Sequence, residues 1–335
     1  MPEPVIVIVG ADSLAGRELR EILGSGPLAK RLRLLSGESA ESIFSSGGDE
    51  EAVVIAPLEE ENLEGATVVF LAGDAASSRR AYTITRRMSS APVLVDLSFG
   101  LEDLPEARLR SPMVEPPGYQ IPPDSLHVVA QPAAAAVALL LSRLHAAQPV
   151  RHSVVEVFEP ASERGARGVE ELQKQTVNLL SFRQLPQEVF DAQIGFNLLP
   201  RYGTAAKEPL ADFEMRIERH LASLLSISGG APIPSLRLVQ APVFHGYSIS
   251  AWVEFAAPFG AGDAARALSR APVEIRSRDE EPATNVGAAG QSGVTISVDP
   301  DRNNPRALWF WMVADNLRLA ADDAMLVAAG LVGAK

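Results

Sequence analysis

The chain has 335 residues, 47% of them apolar and 21% charged, material for about two domains with a sizeable buried core. Its formal net charge is −12 and no window carries about five basic residues together, which argues against a nucleic-acid partner. There is no cysteine, so disulfides, thiolate metal sites and thiol catalysis are excluded. The five histidines have no metal-ligand spacing, and no metal is expected. The segment "MPEPVIVIVGADS" lacks the basic flank of a signal peptide and no apolar run is long enough to span a bilayer, so a cytoplasmic protein is expected.

In chain order, "VIVIVG" (5–10) is a short, wholly apolar run rich in Val and Ile, the mark of a strand buried on both faces. "AGRELREILGS" follows with helical spacing that turns Leu19, Ile22 and Leu23 inward. The strand pattern returns at 32–37, 67–73, 92–98 and 126–132, which predicts a doubly wound, Rossmann-like parallel sheet. Beyond residue 150 the strands lengthen and partly alternate, at 151–160, 235–258 and 294–315, as in a sheet with one covered face. A second, mixed α/β domain is therefore expected over 131–315. The helix predicted over 316–332 is expected to pack back on the first domain, which then comprises 1–130 with 316–335. Segments around 40–52, 105–124 and 278–292, rich in Gly, Pro, Ser and charge, read as loops.

The candidate nucleotide site is "GADSLAG" between the first strand and its helix. Amides at a helix N-terminus can hold a pyrophosphate, with Gly10 allowing the tight turn and Gly16 close packing, and Asp12, Ser13 and Leu14 lying between them. At the end of the second strand, Ser36 and Glu38 stand where an acidic residue bonds a ribose 2′-hydroxyl, so NAD is expected over NADP. Asn316 in "ADNLR" either completes a nicotinamide pocket or caps the last helix.

The stretches "VIVIVGADSLAGREL", "LLSGESA", "VLVDLS", "GVEELQKQTVNLL", "FNLLPRYG", "APVFHGYS" and "WFWMVADNLRLAA" resemble, in order and spacing, the aspartate-β-semialdehyde dehydrogenase family, and within it the Usg-type relatives without the catalytic cysteine. The resemblance implies a dinucleotide-binding domain followed by an α/β dimerisation domain. It also implies NADP-dependent reductive dephosphorylation of β-aspartyl phosphate through a cysteine thioester, in the biosynthesis of lysine, threonine and methionine. Carried over residue by residue, the nucleophile's position falls on Ala134 in "QPAAAA" and the glutamine that orients the acyl group on Glu159. The arginine that clamps the substrate carboxylate falls on Gln240, and the acid–base histidine on Tyr247. The family's phosphate-binding arginine has no clear counterpart near Gly100 to Glu102, and its lysine falls near Glu214, with Arg216 two places on.

This pattern predicts a non-catalytic scaffold or regulatory protein, forming a homodimer or a heteromer with an active paralogue. The alternative is an NAD(P)-dependent oxidoreductase without a covalent intermediate, using Glu159, Tyr247 and His245. Against it, Glu159 also reads as a carboxylate paired with Arg164 or Arg167, His245 as a structural donor, and Tyr247 as a poor proton shuttle at neutral pH.

Overall fold

A computed structural model describes residues 4–24, 31–37, 43–45, 53–122 and 125–333, and the chain divides into two compact units. The first comprises Met1–Pro112, Pro117–Ala130 and Ala320–Lys335; the second comprises Met113–Pro116 and Gln131–Leu319.

The first unit contains β1 (Ile6–Val9), α1 (Leu14–Gly24), β2 (Leu32–Leu35), β3 (Ile43–Ser45), β4 (Val53–Ile55) and α2 (Glu60–Leu63). It continues with β5 (Val68–Leu71), α3 (Ala75–Thr85), β6 (Val93–Asp96), β7 (Ala107–Arg110) and β8 (Leu126–Val129). Six strands form a wholly parallel sheet in the order β2-β1-β5-β6-β8-β7, and β3 and β4 form a separate antiparallel pair. The apolar run of β1 behaves as its composition dictates. Ile6 and Ile8 enter the core on one face, with Leu19 and Leu23 of α1 and Ala321, Ala324 and Val327 near the C-terminus. Val7 and Val9 enter the opposite core, with Leu63 of α2 and Ala81 of α3. Apolar side chains on both faces are what a parallel sheet covered by helices requires. Two strands fall within stretches read as loops: the three-residue β3, in 40–52, and β7, "ARLR", in 105–124, which forms the sheet's edge and is only half-buried along most of its length, so it carries little hydrophobic signal.

In the second unit, α4 (Pro132–Ala147), β9 (Val150–Glu159), α5 (Gly165–Leu180), α6 (Leu210–Ile227), β10 (Ser235–Gln240) and β11 (Tyr247–Phe255) come first. They are followed by α7 (Ala261–Leu268), β12 (Val273–Ile275), α8 (Asn285–Ala288), β13 (Val294–Pro300) and β14 (Ala307–Ala314), and α9 (Asn316–Gly333) crosses the division between the units. The sheet is mixed, in the order β10-β9-β11-β14-β13-β12. The stretches read as single strands at 235–258 and 294–315 each hold two. Gly246, with φ +82°, precedes β11, and Asp301 accepts from the amides of Asn303 and Asn304 in the turn between β13 and β14. The segment 278–292 likewise contains the one-turn helix α8, started by Thr284, whose hydroxyl accepts from the Gly287 amide.

Helix α4 packs against α6, α7 and β9, and every side chain from Pro132 to Leu141 is buried. That environment explains its composition: alanine lets neighbouring elements approach closely and is the best helix former, and proline is tolerated at the first helical position. Farther along α4, Arg143 donates to the carbonyls of Leu268, Arg270 and Ala271, satisfying acceptors at and beyond the end of α7.

Candidate functional site

In the first unit, the turn between β1 and α1 is built by backbone contacts to neighbouring strands. The amides of Gly10 and Ala11 both donate to Leu35 O, at 2.9 and 3.0 Å, which ties the turn to the end of β2. Gly10 has φ +78°, and a Cβ there would lie 2.3 Å from Gly73 Cα; a Cβ on Gly16 would lie 2.1 Å from Gly10 O. Both positions admit only glycine, for the close packing that a nucleotide-binding turn needs. Ser13 is occupied structurally. Its hydroxyl donates to Ala72 O at 2.7 Å and accepts from Gly16 N at 2.9 Å, which clips the turn to the end of β5 and caps α1. The Gly16 amide is thus already bonded, and the amides of Leu14 and Ala15 are left at the head of the helix, where no carbonyl of the preceding turn accepts them. Asp12 and Leu14 are half-buried, and the Asp12 carbonyl accepts from Arg17 Nε at 3.1 Å. Ser36 is fully buried, and its amide donates to Ala56 O.

Glu38, the residue on which the expected preference for NAD rested, lies outside the described residues. The structure brings a cation to the same strand end instead: Arg80 Nη2, from α3, donates to Gly37 O at 3.0 Å. Sequence reasoning missed Arg80, because nothing in "AASSRRAY" says which strand end that helix face overlooks.

In the second unit, Glu159, Gln240, Tyr247, Ala134 and Asn316 are all buried, and most are joined by hydrogen bonds. Ala134 is completely buried in the first turn of α4. Its amide donates to Gln131 Oε1 at 3.0 Å, while the Gln131 amide donates to His220 Nδ1 at 3.0 Å. Gln131 Nε2 donates to the Tyr247 hydroxyl, which in turn bonds Glu163. Burial pushes the Tyr247 phenol well above its ordinary value, with the nearby carboxylates adding to the rise. Asn316 continues the chain. Its Nδ2 donates to Glu163 Oε1 at 2.7 Å, and its Oδ1 accepts from Gly246 N at 3.0 Å and Ser162 Oγ at 3.2 Å. The Gly246 amide can only donate, which fixes the amide orientation of Asn316.

Glu159 and Arg164 form a buried ion pair whose side chains are 1% and 3% exposed. The Arg164 guanidinium lies over the Phe213 ring, 3.1 Å from its centroid, and its Nε donates to the Tyr202 hydroxyl at 3.1 Å. The Tyr202 hydroxyl lies 2.6 Å from Gln240 Oε1 and 3.4 Å from Glu159 Oε2; it has one proton to give, and the shorter contact takes it. Gln240 Nε2 donates to the carbonyls of Glu159 and Ala241, so every polar atom of that amide group is engaged. Burial raises the Glu159 carboxyl and Arg164 pulls it down, with burial the larger effect. Arg164 keeps its charge beside two carboxylates. Glu159 Oε1 has no hydrogen-bond partner among the described residues. His245 Nδ1 is likewise buried with no partner among the described residues, and it joins none of these bonds. Of the two arginines near Glu159 in sequence, the structure selects Arg164. Glu214 is used elsewhere, accepting from Leu238 N at 2.7 Å and facing Arg237.

The arrangement is a closed polar network. The position at the head of α4 is apolar, the phenol is locked as a hydrogen-bonding bridge, and the carboxylate and guanidinium neutralise each other.

The profile of the semialdehyde dehydrogenase dimerisation domain matches residues 141–319. The chain is 28% identical to the aspartate-semialdehyde dehydrogenase of a Synechocystis species, over 99% of this chain and 98% of that protein. It is 30% identical to the USG-1 protein homolog of Azotobacter vinelandii, over 93% of each. The solved structure of a probable aspartate-semialdehyde dehydrogenase from Pseudomonas aeruginosa superposes with a TM-score of 0.83 at 29% identity, covering 98% of this chain and 99% of that one. Fold, order of elements and full-length similarity agree: the chain belongs to the aspartate-semialdehyde dehydrogenase family, as a Usg-type relative.

Proposed function

We propose that this chain is a non-catalytic member of its family, which keeps the nucleotide-binding turn and the dimerisation domain and acts as a dimeric scaffold or regulatory protein. The carrying observation is the head of α4, where buried Ala134 has no atom that can attack an acyl group and the chain has no cysteine to deputise. Loss of a covalent nucleophile alone costs on the order of a million-fold in turnover. The surroundings support the same reading, because Gln240 and Tyr247 are committed to internal hydrogen bonds and Glu159 to Arg164.

Direct hydride transfer using Glu159, Tyr247 and His245 is less well supported. Tyr247 holds its proton far above neutral pH, and Glu159 faces Arg164. Nucleotide binding is supported by the glycine cradle at Gly10 and Gly16, which a Cβ would fill, and by the helix head at Leu14 and Ala15. The residues present fit the pyrophosphate of a dinucleotide; such a cofactor, when bound, supplies hydride chemistry that the second unit has no nucleophile to use covalently.

Self-association is supported by the open face of the second sheet. Val154, Trp252 and Trp309 are register neighbours on β9, β11 and β14, and Val154 and Trp309 are 47% and 46% exposed. A second copy of the chain is the occupant this reading assigns, with an active paralogue of the same architecture as the competing one. No helix among the described residues is long and apolar enough to cross a membrane. The test is phosphate-dependent reduction of NADP by aspartate semialdehyde with the purified protein, alongside sedimentation equilibrium. A rate at the buffer background and a dimer mass are expected; turnover would refute the non-catalytic reading, and a monomer the dimeric one.

A further inference from the structure

We propose that a cavity at the edge of the second sheet binds a small N-acylated amino acid, held at the backbone of Val298 and, through its carboxylate, at Arg276. The cavity, about 500 Å³, is walled by the first turn of α7, the end of β12, the outer edge of β13 and Trp311 of β14. That volume lies within the usual range of small-molecule sites. None of its lining residues belongs to the network around Tyr247 or to the Gly10 turn, so the proposal stands independently of the non-catalytic reading.

The opening exists because β12 is shorter than β13. On the β12 side of β13, Val294 N donates to Pro272 O at 3.0 Å and Ile296 O accepts from Arg276 N at 2.9 Å. Successive residues of a strand turn their backbone polar groups to opposite sides, so Val298 is the next to point its N–H and C=O that way. By then β12 has ended. A turn in which Glu280 N donates to Ser277 O at 3.3 Å, and Ser277 N to Glu280 Oε2 at 2.7 Å, takes the chain off the ladder. Val298 therefore offers the cavity one donor and one acceptor side by side. An extended amino acid completes the pair as an antiparallel neighbour would, its N–H donating to Val298 O and its carboxylate accepting from Val298 N. Pro300, the next residue on that side, has no N–H, so the edge does not extend into a ladder for a longer strand.

Arg276 lines the same cavity with donors to spare. Among the described residues its Nη2 donates to Glu274 Oε1 at 2.7 Å and its Nη1 to Glu281 O at 3.5 Å, which leaves each terminal nitrogen a second hydrogen. The Arg276 side chain is 28% exposed against 74% for Arg278, so its attraction for an anion is the less screened of the two. Glu274 is 62% exposed and competes weakly. The second oxygen of a carboxylate bound to Val298 N is then free for the guanidinium. The acidic side chains on the cavity wall are already engaged, Glu280 with the Ser277 amide and Asp299 with Arg278. A free amino group would bring a further cation beside two arginines, which selects an acylated nitrogen. Ile275, Pro282, Ala283 and the Trp311 ring form the apolar wall for the side chain, and the Trp311 Nε1 bond to Ala283 O at 3.1 Å holds that ring in place.

The test is calorimetric titration of the full-length protein with N-acetyl-L-phenylalanine and with three relatives that each lack one feature. N-acetyl-L-phenylalaninamide lacks the charge, 3-phenylpropanoate the amide, and L-phenylalanine the acyl group. One binding event per chain is expected for N-acetyl-L-phenylalanine, with each relative at least about tenfold weaker. Arg276→Gln should weaken N-acetyl-L-phenylalanine to the level of its carboxamide, and should bind that carboxamide within about twofold of wild type. Ala265→Leu, which fills the cavity from α7 without altering a charge, should abolish binding. Ligand-induced quenching of tryptophan fluorescence should be lost in Trp311→Phe. Equal affinity for the acid and its carboxamide, or an unchanged affinity in Arg276→Gln, overturns the proposal, as does L-phenylalanine matching its acetyl derivative. Unaltered binding in Ala265→Leu, or no binding at about 10 mM, overturns it as well. Circular dichroism and melting temperatures identify a fold defect; Arg276 and Ala265 lie on different elements, so a defect in one variant leaves the other to decide.

Discussion

Asn316 is read as a structural bridge, and replacing it with aspartate gives that reading a pH signature. In the native protein Nδ2 donates to Glu163 Oε1 at 2.7 Å, and Oδ1 accepts from Gly246 and Ser162, all at a residue 1% exposed. Asn316→Asp keeps the shape and both acceptor bonds but sets a second carboxylate oxygen against Glu163. Two carboxylates at that separation cannot both ionise cheaply, and one of them should have its pKa raised by about two units or more, which corresponds to about 3 kcal/mol at neutral pH. The raised group lies above its unfolded value of about 4, so the folded variant binds the proton more tightly. Its stability should match wild type near pH 4, where the pair shares a proton, and fall progressively as pH rises through the raised value. Asn316→Leu removes the donor and the acceptor, depriving Glu163, Gly246 and Ser162 of one partner each, and should cost about 3 kcal/mol or more with little dependence on pH. Urea unfolding of both variants at pH 4.5, 6 and 7.5 checks this. Equal losses at pH 4.5 and 7.5 for Asn316→Asp, or no loss at pH 7.5, would refute the bridge.

Other expectations are simpler. Arg164→Met leaves Glu159 buried without its cation and should cost about 3–5 kcal/mol in urea unfolding. His127 is held neutral down to about 4 by burial and by Arg110, below its ordinary 6.5. The unfolded chain therefore takes up the proton first as pH falls, and stability present above 6.5 should be lost toward pH 4. Discounted for partial solvent access, the loss is about 2 kcal/mol, and His127→Gln should abolish it. Restoring a thiol with Ala134→Cys should leave semialdehyde oxidation at background, since Gln240 and Tyr247 remain committed elsewhere; appreciable turnover in that single variant would contradict the account of the second unit. Its thiol, completely buried, should also react slowly with iodoacetamide.

Strands buried on both faces announce themselves, because "VIVIV" has no polar position to satisfy in water, and the parallel sheet of the first unit was legible for that reason. The edge strand β7 was not, since a strand paired on one side and half exposed needs few apolar residues. The glycine turn was legible from its place between strand and helix. The use of Ser13 as a clip to β5 was not, because Ala72 lies 59 residues away in sequence. What the order of residues determined by itself is chemical inventory: no cysteine anywhere, alanine at the head of α4, glycine at positions 10 and 16. Only the tertiary structure decided partnership. Arg164 is held against Glu159 by Tyr202 and Phe213, and that placement, the bridge from Asn316 to Glu163 and Gly246, and the strand end that Arg80 overlooks all depend on contacts with residues distant in sequence; a side chain's charge state and function follow from those neighbours.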